Sequence, residues 1–240
     1  MYYYISHKRK TIITHIAKNG CESLRYLLLK DEGIFQEEMD IWNKMAQNII
    51  HNPHHVRFFI TQKGYKLLTI IRDPYRRLVS GYVDKILGNN YNYLQFCKNI
   101  MKFYRRDFND KRRVTFEEFV NYVILHKNFN AMDEHFKPQT NCIHLDMPNN
   151  NIMKLENIKP IKSFFEEQQF TQNFINYNKD VIHHYKTRIE HSEKVHNKPA
   201  DYFNQFDKTI PKYEYFLNDN LKEKIYNFYK SDFINFKYSK

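Results

Sequence analysis

The sequence predicts an α/β fold: a three-layer sandwich with a central parallel sheet flanked by helices. Two strand–loop–helix stretches and the length of the chain predict it. Thr11-Ile12-Ile13-Thr14-His15-Ile16 is rich in β-branched residues, the pattern of a short buried strand. It passes through a loop into Ser23-Leu24-Arg25-Tyr26-Leu27-Leu28-Leu29, where Leu24, Leu27 and Leu28 recur at helical spacing. Lys66-Leu67-Leu68-Thr69-Ile70-Ile71 is a second apolar strand, followed by Asp73 as an N-cap and Pro74 at the first helical position. At 240 residues, 42% hydrophobic and 17% aromatic, the chain is long enough for one domain with a substantial core, and disorder is excluded. One domain over residues 1–240 is expected, since no repeat, linker or break in composition divides it.

Met1 to Lys10 reads as a short polar lead-in, and Gly33 as the stop of the first helix. A second helical pattern spans Gln36 to Ile50 through Met39, Trp42, Met45, Ala46 and Ile49. His51-Asn52-Pro53-His54-His55 reads as a loop that leads into an extended segment through Phe59. Ser80 lies two turns into the helix that Pro74 opens, and Asn89 to Tyr93 is a polar break. Phe96 to Asp110 mixes helix and loop and carries Lys98, Lys102, Arg105 and Arg106, followed by the basic run Lys111-Arg112-Arg113. Thr115 with Glu118 has the spacing of a capping box before Phe116, Phe119 and Val120. The span from Gln168 to Val195 is charged and polar, and Leu221 to Tyr238 is an amphipathic helix whose aromatics close the core.

The formal charge of +11 attracts polyanions, whether nucleic acid, anionic membrane or acidic polysaccharide. No RNA-binding motif, finger spacing or basic tail singles out nucleic acid. Cys21, Cys97 and Cys142 form no C-x-x-C pair, which argues against a disulfide framework and fits a reducing compartment. Cys142-x-His144 lacks the further ligands of a zinc site, so no metal is expected. No apolar run is long enough to span a membrane and no signal peptide is recognisable.

The stretch Lys18-Asn19-Gly20-Cys21-Glu22-Ser23 carries the chemistry. A strand, a tight loop with a Lys and a Gly, and a helix start converge backbone N–H groups and the positive end of the helix dipole on an anion. Lys18 adds a full charge. The order of Lys and Gly differs from the G-x-x-x-x-G-K-[ST] loop of nucleoside triphosphatases. Arg72 then falls at the end of the second strand, on the same sheet edge as the Lys18 loop if the two strands are parallel.

Together, K-x-G-C-x-S at Lys18 to Ser23 and R-D-P-x-x-R-L-x-S at Arg72 to Ser80 resemble the membrane-type carbohydrate branch of the sulfotransferase superfamily. The resemblance implies a P-loop-like version of the sandwich and the donor 3′-phosphoadenosine 5′-phosphosulfate. The Lys18–Ser23 loop would bind its 5′-phosphosulfate, and Arg72 and Ser80 its 3′-phosphate. Lys18 and the loop amides would stabilise the leaving oxygen, and no metal would be needed. The acceptor would be a carbohydrate hydroxyl, on an acidic or a neutral glycan.

In the uronyl 2-O subgroup a histidine upstream of R-D-P serves as base, and His55 falls closest to that place, with His54 and His51 behind it. Asp133-Glu134-His135-Phe136-Lys137-Pro138-Gln139 resembles the H-W-x-P-Q segment of chondroitin-type enzymes, which lines the acceptor side. This gives His54, His135 and Lys137 as acceptor contacts, with His135 as an alternative base. Ile152 to Asn157 resembles the family's short strand ending in Glu156, and Val195 to Lys198 a cofactor-covering segment. Glu22 departs from the pattern by putting a carboxylate in the loop. Eukaryotic relatives carry an N-terminal Golgi anchor, whereas here the first cofactor strand begins about ten residues from Met1, so a soluble cytoplasmic form of bacterial or viral origin is expected. Two other readings remain open: a nucleotide kinase or other phosphotransferase, which needs Mg²⁺ carboxylates, and a non-enzymatic basic module that binds polyanions.

Overall fold

The structure, a computed structural model, describes residues 2–33, 49–88, 94–106, 114–125, 128–129, 132–170, 187–206 and 209–240. The first strands are β1 (Tyr3–Ser6) and β2 (Thr11–Thr14), followed by helix α1 (Cys21–Asp31), strand β3 (Ile49–Ile50), helix α2 (Pro53–Lys63) and strand β4 (Lys66–Ile71). Helix α3 (Pro74–Tyr82) continues as a π-turn over Val83–Leu87, before α4 (Leu94–Phe103) and α5 (Phe116–Leu125). A 3₁₀ turn over Gln139–Cys142 precedes β5 (Asn150–Lys154) and α6 (Ile158–Glu167). Strands β6 (Thr187–Ile189) and β7 (Thr209–Pro211) and helices α7 (Asp219–Phe228) and α8 (Lys230–Asn235) complete the described elements. They fall into two compact units, Met1–Asp73 with Lys137–Val181 and Pro74–Phe136 with Ile182–Lys240.

The first unit holds a five-stranded sheet in the order β3-β1-β2-β4-β5. Its centre is parallel, β2 with β4 and β4 with β5, and Thr14 meets Thr69 across the ladder with their hydroxyls 2.7 Å apart. β1 pairs antiparallel with both β2 and β3. That strand corrects the reading of Met1 to Lys10 as a polar lead-in. Tyr3, Tyr4, Ile5 and Ser6 are all buried, and only the charged turn after them is exposed in part. The hydroxyls and flanking lysines gave the segment its polar look, while the rings supply the burial. Side chains alternate across the pleat. Tyr4, Ile13, Leu68 and Ile70 pack with Leu24, Leu27 and Leu28 of α1 and Phe164 and Phe165 of α6. Tyr3, Ile5, Ile12 and Leu67 pack with Val56 and Ile60 of α2. Helices on both faces of the sheet make the three layers expected.

Helix α2 occupies the segment expected to be loop and extended chain, and corrects that reading. Asn52 caps it by accepting from the His54 amide, Pro53 stands in its first turn, and Gly64 ends it at a φ of 69°. Helix α1 ends as expected, with Gly33 left-handed at a φ of 72°. Its last residue, Asp31, is buried and takes a two-point contact from Arg9, Nε to Oδ2 and Nη2 to Oδ1 at 2.7 Å each. This pair ties the β1–β2 turn to the end of α1.

The second unit packs an aromatic core, in which Tyr82, Phe116, Phe119, Phe136, Phe203 and Phe216 are fully buried. The capping box at α5 is formed in both directions, Glu118 N to Thr115 Oγ1 and Thr115 N to Glu118 Oε2. The C-terminal stretch expected as one helix is two, interrupted at Tyr229, whose hydroxyl donates to the Phe136 carbonyl at 2.5 Å. Of the helix expected over 36–50, only Ile49 and Ile50 are described, and they form β3. The polar break at 89–93, the basic run 111–113 and residues 171–186 of the polar span lie outside the described residues. Among the described residues no helix is long and apolar enough to cross a membrane.

Asp31→Asn is expected to lower stability by about 2–3 kcal/mol, because it replaces one carboxylate oxygen by an amide that opposes the Arg9 guanidinium. Urea unfolding of the two proteins side by side checks this; equal midpoints would contradict it.

Candidate active site

In the first unit the chain leaves β2 at Thr14 and turns into α1 through two left-handed residues, Lys18 at a φ of 70° and Gly20 at 81°. A β-carbon is strained in that region, so the glycine is required by the turn and Lys18 is held there against its preference. Left-handed residues set between right-handed ones bring successive backbone N–H groups together into an anion-binding hollow. The hollow opens onto the first turn of α1, where N–H groups lack acceptors within the helix. Asn19 pins the loop from below. Its Nδ2 donates to the Ile70 carbonyl at 2.8 Å and to Gln139 Oε1 at 2.7 Å, and the residue is 2% exposed.

Arg72 begins where β4 stops. Its backbone N–H donates to Gln139 Oε1 at 2.9 Å, and its carbonyl accepts from Gln139 Nε2 at 2.7 Å. Its side chain reaches back, Nη1 donating to the Lys18 carbonyl at 2.9 Å. The Lys18 loop and Arg72, the first residue of the second motif, therefore meet within the first unit. Asp73 follows with its N–H on Glu156 Oε1 at 2.9 Å, so Glu156 holds the backbone of the R-D-P stretch. Cys21 is half-buried, Ser23 is buried and Glu22 is exposed. An acidic residue in the first turn suits the helix dipole. Arg25 is buried one turn along α1, with Nε on the Cys21 carbonyl at 3.3 Å and Nη2 3.7 Å from the Cys21 thiol. Ammonium, guanidinium and amides are all donors, and a phosphate- or sulfate-bearing ligand is what such a set suits.

The remaining candidates are distributed as follows. His54 and His55 are exposed in the first turn of α2, and neither ring makes a hydrogen bond among the described residues. His51 lies in front of that helix with its ring 5.9 Å from Tyr2. Lys137 is half-buried in the first unit. In the second unit Ser80 is half-buried on α3. His135 has a defined partner there: Asp133 Oδ1 accepts from its backbone N–H at 2.8 Å and pairs with its Nδ1 at 2.7 Å. Burial of Asp133 works against its charge, but the two hydrogen bonds and the charge of His135, with Lys85 nearby, outweigh it and hold the carboxyl below its usual range. His196 was matched to a cofactor-covering segment; its Nε2 takes a bond from Asn218 Nδ2 at 3.0 Å. Among the described residues no three His, Cys, Asp or Glu side chains gather as metal ligands would.

A profile described as the Sulfotransferase family matches residues 1–239. The chain belongs to the sulfotransferase family. It is 22% identical to human carbohydrate sulfotransferase 9 over 98% of its own length and 53% of that protein's. It is 26% identical to human carbohydrate sulfotransferase 10 over 50% of its length and 37% of that protein's. The chain thus spans about half the length, or less, of these curated relatives. No solved structure matches it significantly.

Reading the sequence of this chain left the hydrogen-bonding roles of three side chains unseen: Asn19 and Gln139 in the first unit and Asp133 in the second. Asn19 and Gln139 were named only as loop and motif members, and the bonds that give them roles join residues far apart in the chain. Asp133 was legible in principle, since an acidic residue two before a histidine can fold back on its ring, but the spacing alone marks no chemistry.

The Asp133 carboxyl is held below its unfolded value, so its contribution to stability is complete above the ordinary carboxylate pKa of about 3.9 and is lost as pH falls below it. The stability gap between the native chain and Asp133→Asn is expected to shrink as the pH falls below about 4. Thermal unfolding from pH 3 to 7 measures it, and a gap that widens on acidification would contradict the assignment.

Proposed function

We propose that this chain moves a sulfuryl group from 3′-phosphoadenosine 5′-phosphosulfate to a hydroxyl of a carbohydrate acceptor. The observation that carries the reading is the union of the Lys18 loop with Arg72, sealed by the bond from Arg72 Nη1 to the Lys18 carbonyl. That union gathers a mobile ammonium, a planar guanidinium and a helix start into one anion host. The bound donor supplies the activated sulfuryl group and a second, 3′-phosphate. Transfer of this kind passes through a loose, in-line transition state by analogy with phosphoryl transfer, so positioning and charge stabilisation supply most of the rate. Lys18 and the amides from Gly20 to Ser23 act on the charge that builds on the leaving oxygen, the Asn19 amide being taken by the Ile16 carbonyl. Arg72 offers the two-point contact that a 3′-phosphate needs. The likeness to two human carbohydrate sulfotransferases supports a carbohydrate acceptor.

A histidine is the base of this scheme. The sequence pattern points to His55, with His135 as the alternative. Within the second unit Asp133 accepts from Nδ1 of His135, the kind of contact that orients an imidazole. The acceptor hydroxyl loses its proton to the base as its oxygen attacks sulfur and the bond from sulfur to the 5′-phosphate oxygen breaks.

Calorimetric titration tests the donor. Adenosine 3′,5′-bisphosphate is expected to bind at micromolar concentration, more tightly than AMP, and Arg72→Ala to weaken it about 10- to 100-fold. Equal, weak, salt-sensitive binding of both nucleotides would replace the enzyme by a polyanion-binding module. With an acceptor in hand, His55→Ala is expected to lower kcat by about 100-fold or more and His135→Ala by less than about threefold. The reverse result gives the role of base to His135.

A further inference from the structure

We infer that Gln139 is a positioning residue that sets the span between the Lys18 loop and Arg72, and thereby the preference for a ligand with two anionic groups over a ligand with one. The inference rests on the donor proposed above and deepens it. Gln139 follows Pro138 at the start of the 3₁₀ turn and is 0% exposed. Its amide pairs with Arg72 as the backbone of a neighbouring strand would, accepting from the N–H and donating to the carbonyl. The same Oε1 takes a further bond from Asn19 Nδ2, which also donates to Ile70. One planar amide thus touches both anion-binding elements.

The sheet does not fix this span by itself, because β2 ends at Thr14 and β4 at Ile71, before the residues that matter. The Arg72 to Lys18 bond adds a second tie, but through a long side chain that a ligand can draw away. Gln139 and Asn19 are both buried, so water offers their polar groups no easy substitute. A loop and an arginine can each bind one anion whatever their separation. A ligand carrying both anions gains from the second contact only when the two sites are held at its own span, since that contact is then intramolecular. Loosening the amide is therefore selective against the two-anion ligand.

The test titrates adenosine 3′,5′-bisphosphate, 5′-AMP and 3′-AMP into the native chain, Gln139→Met and Asn19→Ala, with thermal melts to establish folding. Methionine keeps the length of Gln139 and removes its hydrogen bonds, while Asn19→Ala cuts the loop tie and leaves the Arg72 pairing in place. Expected is a loss of bisphosphate affinity of about tenfold or more in Gln139→Met, with each monophosphate within about threefold of native. Asn19→Ala is expected to move the ratio the same way, and it decides the matter alone should Gln139→Met not fold. A folded variant that keeps the native ratio, or weakens all three ligands equally, reduces Gln139 to a structural prop and overturns the inference. A native chain with no preference for the bisphosphate instead overturns the donor assignment, and this inference with it.

Discussion

The peptide groups just beyond the end of β4 must find partners in a part-buried place where the sheet can no longer supply them, and much of the first unit follows from how this is done. A buried N–H or C=O left alone costs about as much as a lost hydrogen bond and its desolvation. Here each group is met in turn. The Ile70 carbonyl accepts from Asn19 Nδ2, and the Ile71 carbonyl from the Leu155 N–H. Both backbone groups of Arg72 pair with the Gln139 amide, and the Asp73 N–H donates to Glu156. Side chains from the loop after β2, from the 3₁₀ turn and from the end of β5 therefore converge because the strand end requires them. Their convergence is what holds Arg72 against the Lys18 loop.

That arrangement has an electrostatic consequence. Lys18, Arg72 and the buried Arg25 bring positive charge to the start of α1, and the hydrogen bonds beneath them fix the backbone from which two of them project. A backbone fixed before a ligand arrives presents its amides to an anion without reorganising. The one departure from the family pattern in the loop, Glu22, is exposed on the helix surface. There it interacts with the dipole of α1 from the solvent side, where water screens it. The overall charge of +11 acts at longer range, drawing anionic ligands toward the surface without selecting among them.

What the sequence made legible was local. Runs of β-branched residues marked β2 and β4, leucines at helical spacing marked α1, and Thr115 with Glu118 marked the start of α5. The loop at Lys18 to Ser23 and the R-D-P stretch were legible as motifs because their chemistry depends on neighbours in the chain. The features that were missed depend on distance or on mixed signals. β1 hid because tyrosine is apolar in its ring and polar at its tip, and charges follow it. α2 hid because only Val56 and Ile60 are buried along it, although Asn52, Pro53 and Gly64 were cap signals in plain view. Asn19 and Gln139 are 120 residues apart, and Gln139 and Arg72 are 67 apart, so no window on the sequence contains both partners.

The stretch from Asp133 to Gln139 shows how one motif can hold two kinds of chemistry. Family likeness assigned the whole of it to the acceptor. Side-chain geometry divides it: Asp133 orients the His135 ring in the second unit, and Gln139 completes the hydrogen bonding of Arg72 in the first. Asp133 and His135 pair with each other, whereas Gln139 pairs with the backbone of Arg72, so substitutions at the two ends of the stretch break different hydrogen bonds and are not one kind of change. One end orients a ring and the other braces a backbone. The hydrogen-bond partner of each side chain, rather than its membership of the motif, says which of the two it is.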